Sequence, residues 1–259
     1  MFRDRGVTLF IILGGFFIAN ALVAEFIGVK IFSLEGTLGI PPFDISLFGE
    51  NNLGFNLTAG VLLWPVVFVM TDIINEYYGK KGIRFLSYLA VGLILYAFVM
   101  IFLAMRLAPN AWWDGVSGVV EGSAETSIAS MDLAFKKIFG QGLWIIVGSL
   151  VAFLVGQLLD VSVFHWIKKR TGDRKIWLRA TGSTLISQFV DSFVVLFIAF
   201  YVGADWSAER VAAIGTVNYI YKFLMAILLT PLIYLAHNMI DRYLGAGPAS
   251  RMKAQAAKS

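Results

Sequence analysis

The stretch LTAGVLLWPVVFVMTDIINEYYGKK, residues 57–81, decides how the whole chain is read. An apolar run from Leu57 to Met70 leads without a break into Thr71, Asp72, Asn75 and Glu76. On a helix, Asp72, Asn75 and Glu76 fall at i, i+3 and i+4 and share one face. Inside a bilayer each unpaired charge costs about 2.5–3.5 kcal/mol or more, so an acidic stripe on a greasy helix points to function. Pro65 lies within the same run and predicts a kink, because its nitrogen cannot donate to the preceding turn.

The composition supports a membrane setting. Of 259 residues, 58% are hydrophobic and only 15% charged, and the mean hydropathy is +0.76. A soluble domain is nearer a quarter charged. Cysteine is absent, which excludes a disulfide framework, a thiolate metal site and a cysteine nucleophile. With His165 and His237 as the only histidines, a histidine-rich metal site is excluded too, and the residues call for no cofactor. The net charge of +4 does not read as a nucleic-acid footprint, because the basic residues cluster beside apolar runs, as membrane topology demands.

Outward from the opening stretch, the sequence predicts an all-α membrane protein, a single domain of six transmembrane helices: residues 7–27, 57–78, 83–105, 143–166, 179–202 and 212–240. The first run resembles the start of a signal peptide, but its length and the lack of a cleavage site favour a retained helix. Arg3 and Arg5, the Lys80/Lys81/Arg84 loop, the run Lys168 to Arg179 and the basic C-terminus fall on one side. By the positive-inside rule both termini are cytoplasmic. Residues 28–56 form an outer loop with more acids than bases. Residues 106–142 form a second, with a short interfacial helix over 131–139. Residues 245–259 read as a flexible cytoplasmic tail. Six spans suit two inverted three-helix halves. Asn20 and Glu25 would then correspond to Gln157 and Asp160.

Three further spans carry polar residues. The fourth has Gln157 and Asp160, the fifth Ser183, Thr184, Ser187, Gln188 and Asp191, the sixth Asn218 and Lys222. The spacing Q-x-x-D, twice, sets an amide and a carboxylate on one face. Each has a bland reading beside the functional one. Glu76 is placed to pair with Lys80 one turn on, Asp160 to be clamped by Arg179 or a lysine, and Gln157 to bridge helices. Lys222 can snorkel outward, and His237 reads as a solvated interfacial residue. Gln188 and Asp191 have the weakest bland reading, being at mid-depth.

A carboxylate accepts the paired N–H groups of a guanine-like edge and an amide both donates and accepts, so the set suits a small polar or cationic heterocycle better than an anion. Phe189, Phe193, Tyr77, Tyr219 and Tyr221 are candidate stacking faces. Gln188 and Asp191 are expected to bind the base edge. Asp72, Asn75, Glu76 and Gln157 complete the pocket, and Asp160, Arg179, Ser183 and Thr184 support it. No Walker-type phosphate loop is present. Two other classes stay open: a substrate-binding membrane subunit of a multi-subunit vitamin or nucleobase uptake system, and an intramembrane enzyme using the carboxylates. The evenly apolar third span suits a homodimer or lipid equally well.

Three motifs in order carry a resemblance. They are Thr71-Asp72-Ile73-Ile74-Asn75-Glu76-Tyr77-Tyr78-Gly79, Gly156-Gln157-Leu158-Leu159-Asp160-Val161, and Arg179 with Ser183, Thr184, Ser187, Gln188, Asp191 and Ser192. Together they resemble the VUT family of bacterial inner-membrane proteins, the queuosine precursor or vitamin uptake transporters, over nearly the whole chain. The resemblance implies uptake of the deazaguanine bases preQ0 and preQ1 for tRNA queuosine synthesis. Ser192 stands where many members are expected to have threonine.

Overall fold

The computed structural model describes residues 4–117, 127–140, 142–171 and 176–257. Helix α1 spans Arg5–Ile27, and its N-cap Asp4 accepts from the Gly6 amide at 2.8 Å. A small cap follows. Strand β1 (Ile31–Ser33) leads into the short helix α2 (Leu34–Leu38), and the hairpin β2 (Ile45–Leu47)–β3 (Glu50–Leu53) precedes β4 (Asn56–Thr58), which pairs antiparallel with β1. The buried Glu35 carboxylate fastens this cap by accepting from the Phe55 amide at 2.8 Å and the Ser33 hydroxyl at 3.3 Å. Leu57, Val61 and Tyr221 form a small apolar cluster beneath it.

The cap corrects one sequence boundary. Residues 57–63 were expected to be helical, but Leu57 belongs to β4, and Ala59–Leu62 form a 3₁₀ turn before α3 begins at Trp64. Pro65 therefore sits in the first turn of α3, where its missing N–H costs nothing, and not at an interior kink.

Helix α3 runs Trp64–Ala104 with one non-helical residue, Gly79, at φ +68° and ψ −172°. Glycine reaches this conformation without a Cβ clash. The neighbours of α1 show what the break does. Before it, the Tyr78 hydroxyl donates to the Gly6 carbonyl at 2.7 Å, while Gly60, ahead of the helix, lies against the Ala24 carbonyl. After it, Gly14 lies against Leu86, and the Phe26 and Phe98 rings are 6.0 Å apart. The first half of α3 is thus antiparallel to α1 and the second half parallel to it, so the helix folds back on itself at Gly79.

Beyond α3 come α4 (Ala111–Asp114), the short ladder β5 (Val116–Ser117)–β6 (Ser127–Ile128), and α5 (Met131–Phe139), the helix expected over 131–139. Helix α6 spans Leu143–Thr171 and packs along α7 (Ile176–Leu196), which ends in a π-helical turn, Phe197–Val202. Helix α8 spans Ala208–Leu244. Residues 246–256, read from sequence as a polar tail, form α9 (Ala246–Ala256), which packs on α3 through the buried Ala249 and the partly buried Met252.

Five helices among the described residues are long and apolar enough to cross a membrane: Arg5–Ile27, Trp64–Ala104, α6 within the span Met131–Thr171, Ala180–Val202 and Ala208–Leu244. The core between them holds Phe17, Val67, Ile74, Ile83, Ile94, Phe153 and Phe164. Phe85, Tyr88, Tyr96, Val99 and Phe102 on the second half of α3 face outward, as a lipid-wetted surface would. The basic groups Arg5, Lys80, Lys81, Arg84, Lys168 and Lys253 gather at the fold-back end, where Arg5 donates to the Tyr243 carbonyl at 2.9 Å.

Candidate functional site

The acidic face of α3 is turned wholly inward. Thr71, Asp72, Asn75 and Glu76 are all buried, and α6, α7 and α8 bring polar partners to meet them. Nearest the fold-back, the Tyr77 hydroxyl donates to Asp241 Oδ1 at 2.7 Å and lies 3.2 Å from His237 Nδ1. Lys253 of α9 donates to Asp241 at 2.8 Å and lies over the Tyr77 ring. In the same layer Lys168 Nζ pairs with Glu76 at 3.0 Å, and His165 Nε2 is 2.8 Å from Asn75 Oδ1.

One turn further in, the partners change from charges to hydroxyls and amides. The Thr71 hydroxyl meets Gln157 Oε1 at 3.0 Å, Thr184 donates to Asp72 Oδ2 at 3.3 Å, and Ser187 lies 3.2 Å from Asp160 Oδ1. Here, among the described residues, buried polar atoms remain without a partner: Asp72 Oδ1, Asp160 Oδ2, the side-chain nitrogens of Gln157 and Gln188, and Asn75 Nδ2 from the layer below. Unsatisfied buried groups of this kind cost about 1–3 kcal/mol each. They are expected where a ligand completes the bonding.

A narrow cleft adjoins this layer, lined by Phe68, Asp72, Thr181, Thr184, Gln188 and Lys222 among others. Its lining has the mixture of apolar wall and convergent polar groups that small-molecule sites use. At its edge Lys222 Nζ pairs with Asp191 at 2.5 Å.

The structure therefore brings Asp72, Gln188, Thr184, Gln157, Asp160 and Ser183 to one α3–α6–α7 junction. It revises several partnerships. Glu76 takes Lys168 of α6, because the break at Gly79 removes Lys80 from the helical position one turn on. Asp191 holds Lys222, which turns inward and does not snorkel. His165 and His237 are 4% and 5% exposed, so neither is a solvated interfacial group. The side chain of Arg179 lies outside the described residues, and with it the expected clamp on Asp160. None of the expected stacking aromatics lines the cleft: Phe189 packs against Phe193 and Tyr219, Tyr77 is stacked on His237, and Tyr221 belongs to the cluster under the small cap. Phe68 is the aromatic on its wall.

Sequence reading missed Lys168 and His165 as interior groups. Their signal was present, since residues 161, 164, 165 and 168 continue the inward stripe of Gln157 and Asp160 at i+3 and i+4.

Residues 58–236 match the family model described as a putative vitamin uptake transporter. The chain is 31% identical over 189 residues to a probable queuosine precursor transporter of Bacillus subtilis (strain 168), covering 72% of this chain and 74% of that one. It is 29% identical over 210 residues to a probable queuosine precursor transporter of Haemophilus influenzae, covering 78% and 80%. It is 27% identical over 176 residues to the queuosine precursor transporter of Escherichia coli (strain K12), covering 68% and 70%. No solved structure matches. With a matching stretch that runs from β4 through α3, α6 and α7 to residue 236 of α8, the chain belongs to the vitamin uptake transporter family.

Proposed function

We propose that this chain imports queuosine precursors, the deazaguanine bases preQ0 and preQ1, across the bacterial inner membrane. The observation that carries the reading is the set of buried, partnerless amide and carboxylate atoms beside the cleft. A guanine-like edge offers adjacent N–H donors to the Asp72 carboxylate and an acceptor to the Gln188 amide. Phe68 supplies a face for the ring. Asp191 orients Lys222 at the cleft's edge, and Asn75 and Gln157 close the site from α3 and α6. The relatives' names point to the same substrate class.

The same reading gives six membrane crossings in two three-helix halves of opposite orientation. Counting the two halves of α3 separately turns five long stretches into six passes. The basic fold-back end is then cytoplasmic, with both termini beside it. The test is uptake of labelled preQ0 and preQ1 by cells unable to make queuosine, with and without the protein. Accumulation that depends on the protein is expected. Equal uptake at good expression would refute the reading.

A further inference from the structure

Asp160 lies behind the cleft and does not line it. Its side chain is 0% exposed and that of Asp72 is 1% exposed. The two carboxylates share one set of neighbours: Ser183 and Thr184 of α7 stand beside both, the Thr184 hydroxyl 3.3 Å from Asp72 Oδ2, and Ser187 lies 3.2 Å from Asp160 Oδ1. The proton inventory falls short. Each hydroxyl has a single proton to give. That of Ser183 goes to the Ala180 carbonyl at 3.1 Å, and that of Ser187 is divided between the Thr184 carbonyl at 3.0 Å and Asp160 Oδ1. Thr184 serves Asp72 Oδ2. Four carboxylate oxygens therefore share two hydroxyl protons at most, and Asp72 Oδ1 and Asp160 Oδ2 receive nothing. Among the described residues the nearby ammonium groups are committed elsewhere, Lys168 to Glu76 and Lys222 to Asp191.

Two adjacent, fully buried carboxylates without a cation between them are electrostatically untenable in a low-dielectric interior. On the transport reading the purine-like base meets Asp72 from the cleft, which Asp160 does not line. From this geometry we infer that Asp72 and Asp160, with the hydroxyls of Ser183, Thr184 and Ser187, form a site for one small exchangeable cation, sodium or a proton. Its oxygen-only donor set is the chemistry that hard cations take. Asp72 belongs to both this site and the cleft, so loading the cation sets the carboxylate that meets the substrate. That is a structural basis for coupling uptake to an ion gradient. The inference rests on the transport reading for its purpose, but its first test does not need the substrate.

That test follows thermal unfolding of the purified full-length protein in detergent, with sodium chloride against choline chloride at pH 8, and in choline from pH 8 to pH 6. Among the described side chains, the other titratable groups around the site are Glu25 on α1, Glu76 on α3, His165 and Lys168 on α6, Asp191 on α7, and Lys222 and His237 on α8. The comparison is therefore always between wild type and Asp160→Asn. A rise of several degrees with sodium that Asp160→Asn abolishes identifies a sodium site. A rise on acidification that Asp160→Asn abolishes, with no sodium response, identifies a proton site. If Asp160→Asn does not fold, Ser187→Ala takes its place and shifts the half-saturating cation concentration several-fold. Identical sodium and pH responses in wild type and variants overturn the inference. In proteoliposomes, preQ0 uptake should then rise several-fold under the matching inward gradient. Uptake with no gradient dependence would overturn the coupling role, whereas no uptake under any condition would count against the substrate reading.

Discussion

Two successive turns of one helix are built on opposite rules. The turn of α3 nearest the fold-back is saturated: Glu76 has Lys168, Asn75 has His165, and Tyr77 has His237 and an Asp241 that is itself held by Lys253. One turn inward the charged partners are gone, and Asp72, Asp160, Gln157 and Gln188 each present an atom with no protein partner. The same polar residue types thus serve as scaffold where their bonds close within the chain and as site where they do not. Asn75, whose oxygen is paired and whose nitrogen is not, marks the boundary.

The contrast is sharpened first by breaking the saturated layer. Lys168→Met removes one charged partner of the buried Glu76, and losing a hydrogen bond to a charged group costs about 1.5–3 kcal/mol. Thermal unfolding in detergent should fall steeply, and the double variant Glu76→Leu/Lys168→Met should recover much of the loss. In the unsaturated layer the expected result is reversed. Asp72→Asn should lower preQ0 uptake by roughly 100-fold, from about 3 kcal/mol of lost charged hydrogen bonding, with little change in unfolding temperature.

Smaller effects follow. Gly79→Ala forces a side chain into a backbone conformation that costs about 1–3 kcal/mol, so a drop in unfolding temperature and in the yield of folded protein is expected. Gln188→Leu removes a substrate contact worth about 1.5 kcal/mol, so the half-saturating preQ0 concentration should rise about 10-fold with expression unchanged. Lys253→Ala, at the solvated rim of the saturated layer, should cost under about 1 kcal/mol. A larger loss would mean that α9 is more than a surface brace.

The long-period apolar pattern made most of this fold legible. The long apolar helices, the break near Gly79 and the 131–139 helix follow from runs of apolar residues and their glycine and charge breaks, whereas α9 lies in a stretch that reads as a polar tail. The start of α3 was not legible, because Leu57–Leu63 is as apolar as the helix it precedes. Only its pairing with β1 turns Leu57 into a strand residue. At the site, the i, i+3, i+4 stripe named Asp72, Asn75 and Glu76 from one helix alone. Which of them would be satisfied depended on α6 and α8, and no local spacing reveals that Lys168 reaches Glu76 or that Asp191 is taken by Lys222. The aromatic face was missed for the same reason: Phe68 differs from Phe189 only in the direction its helix turns it.

The most direct measurement is queuosine in the tRNA of cells that cannot make its precursors, supplied with preQ0 and carrying either the wild-type protein or Asp72→Asn at matched membrane abundance. Restoration by the wild type and none by Asp72→Asn is the predicted result. Equal restoration by both would contradict the assignment of the unsaturated layer as the substrate site.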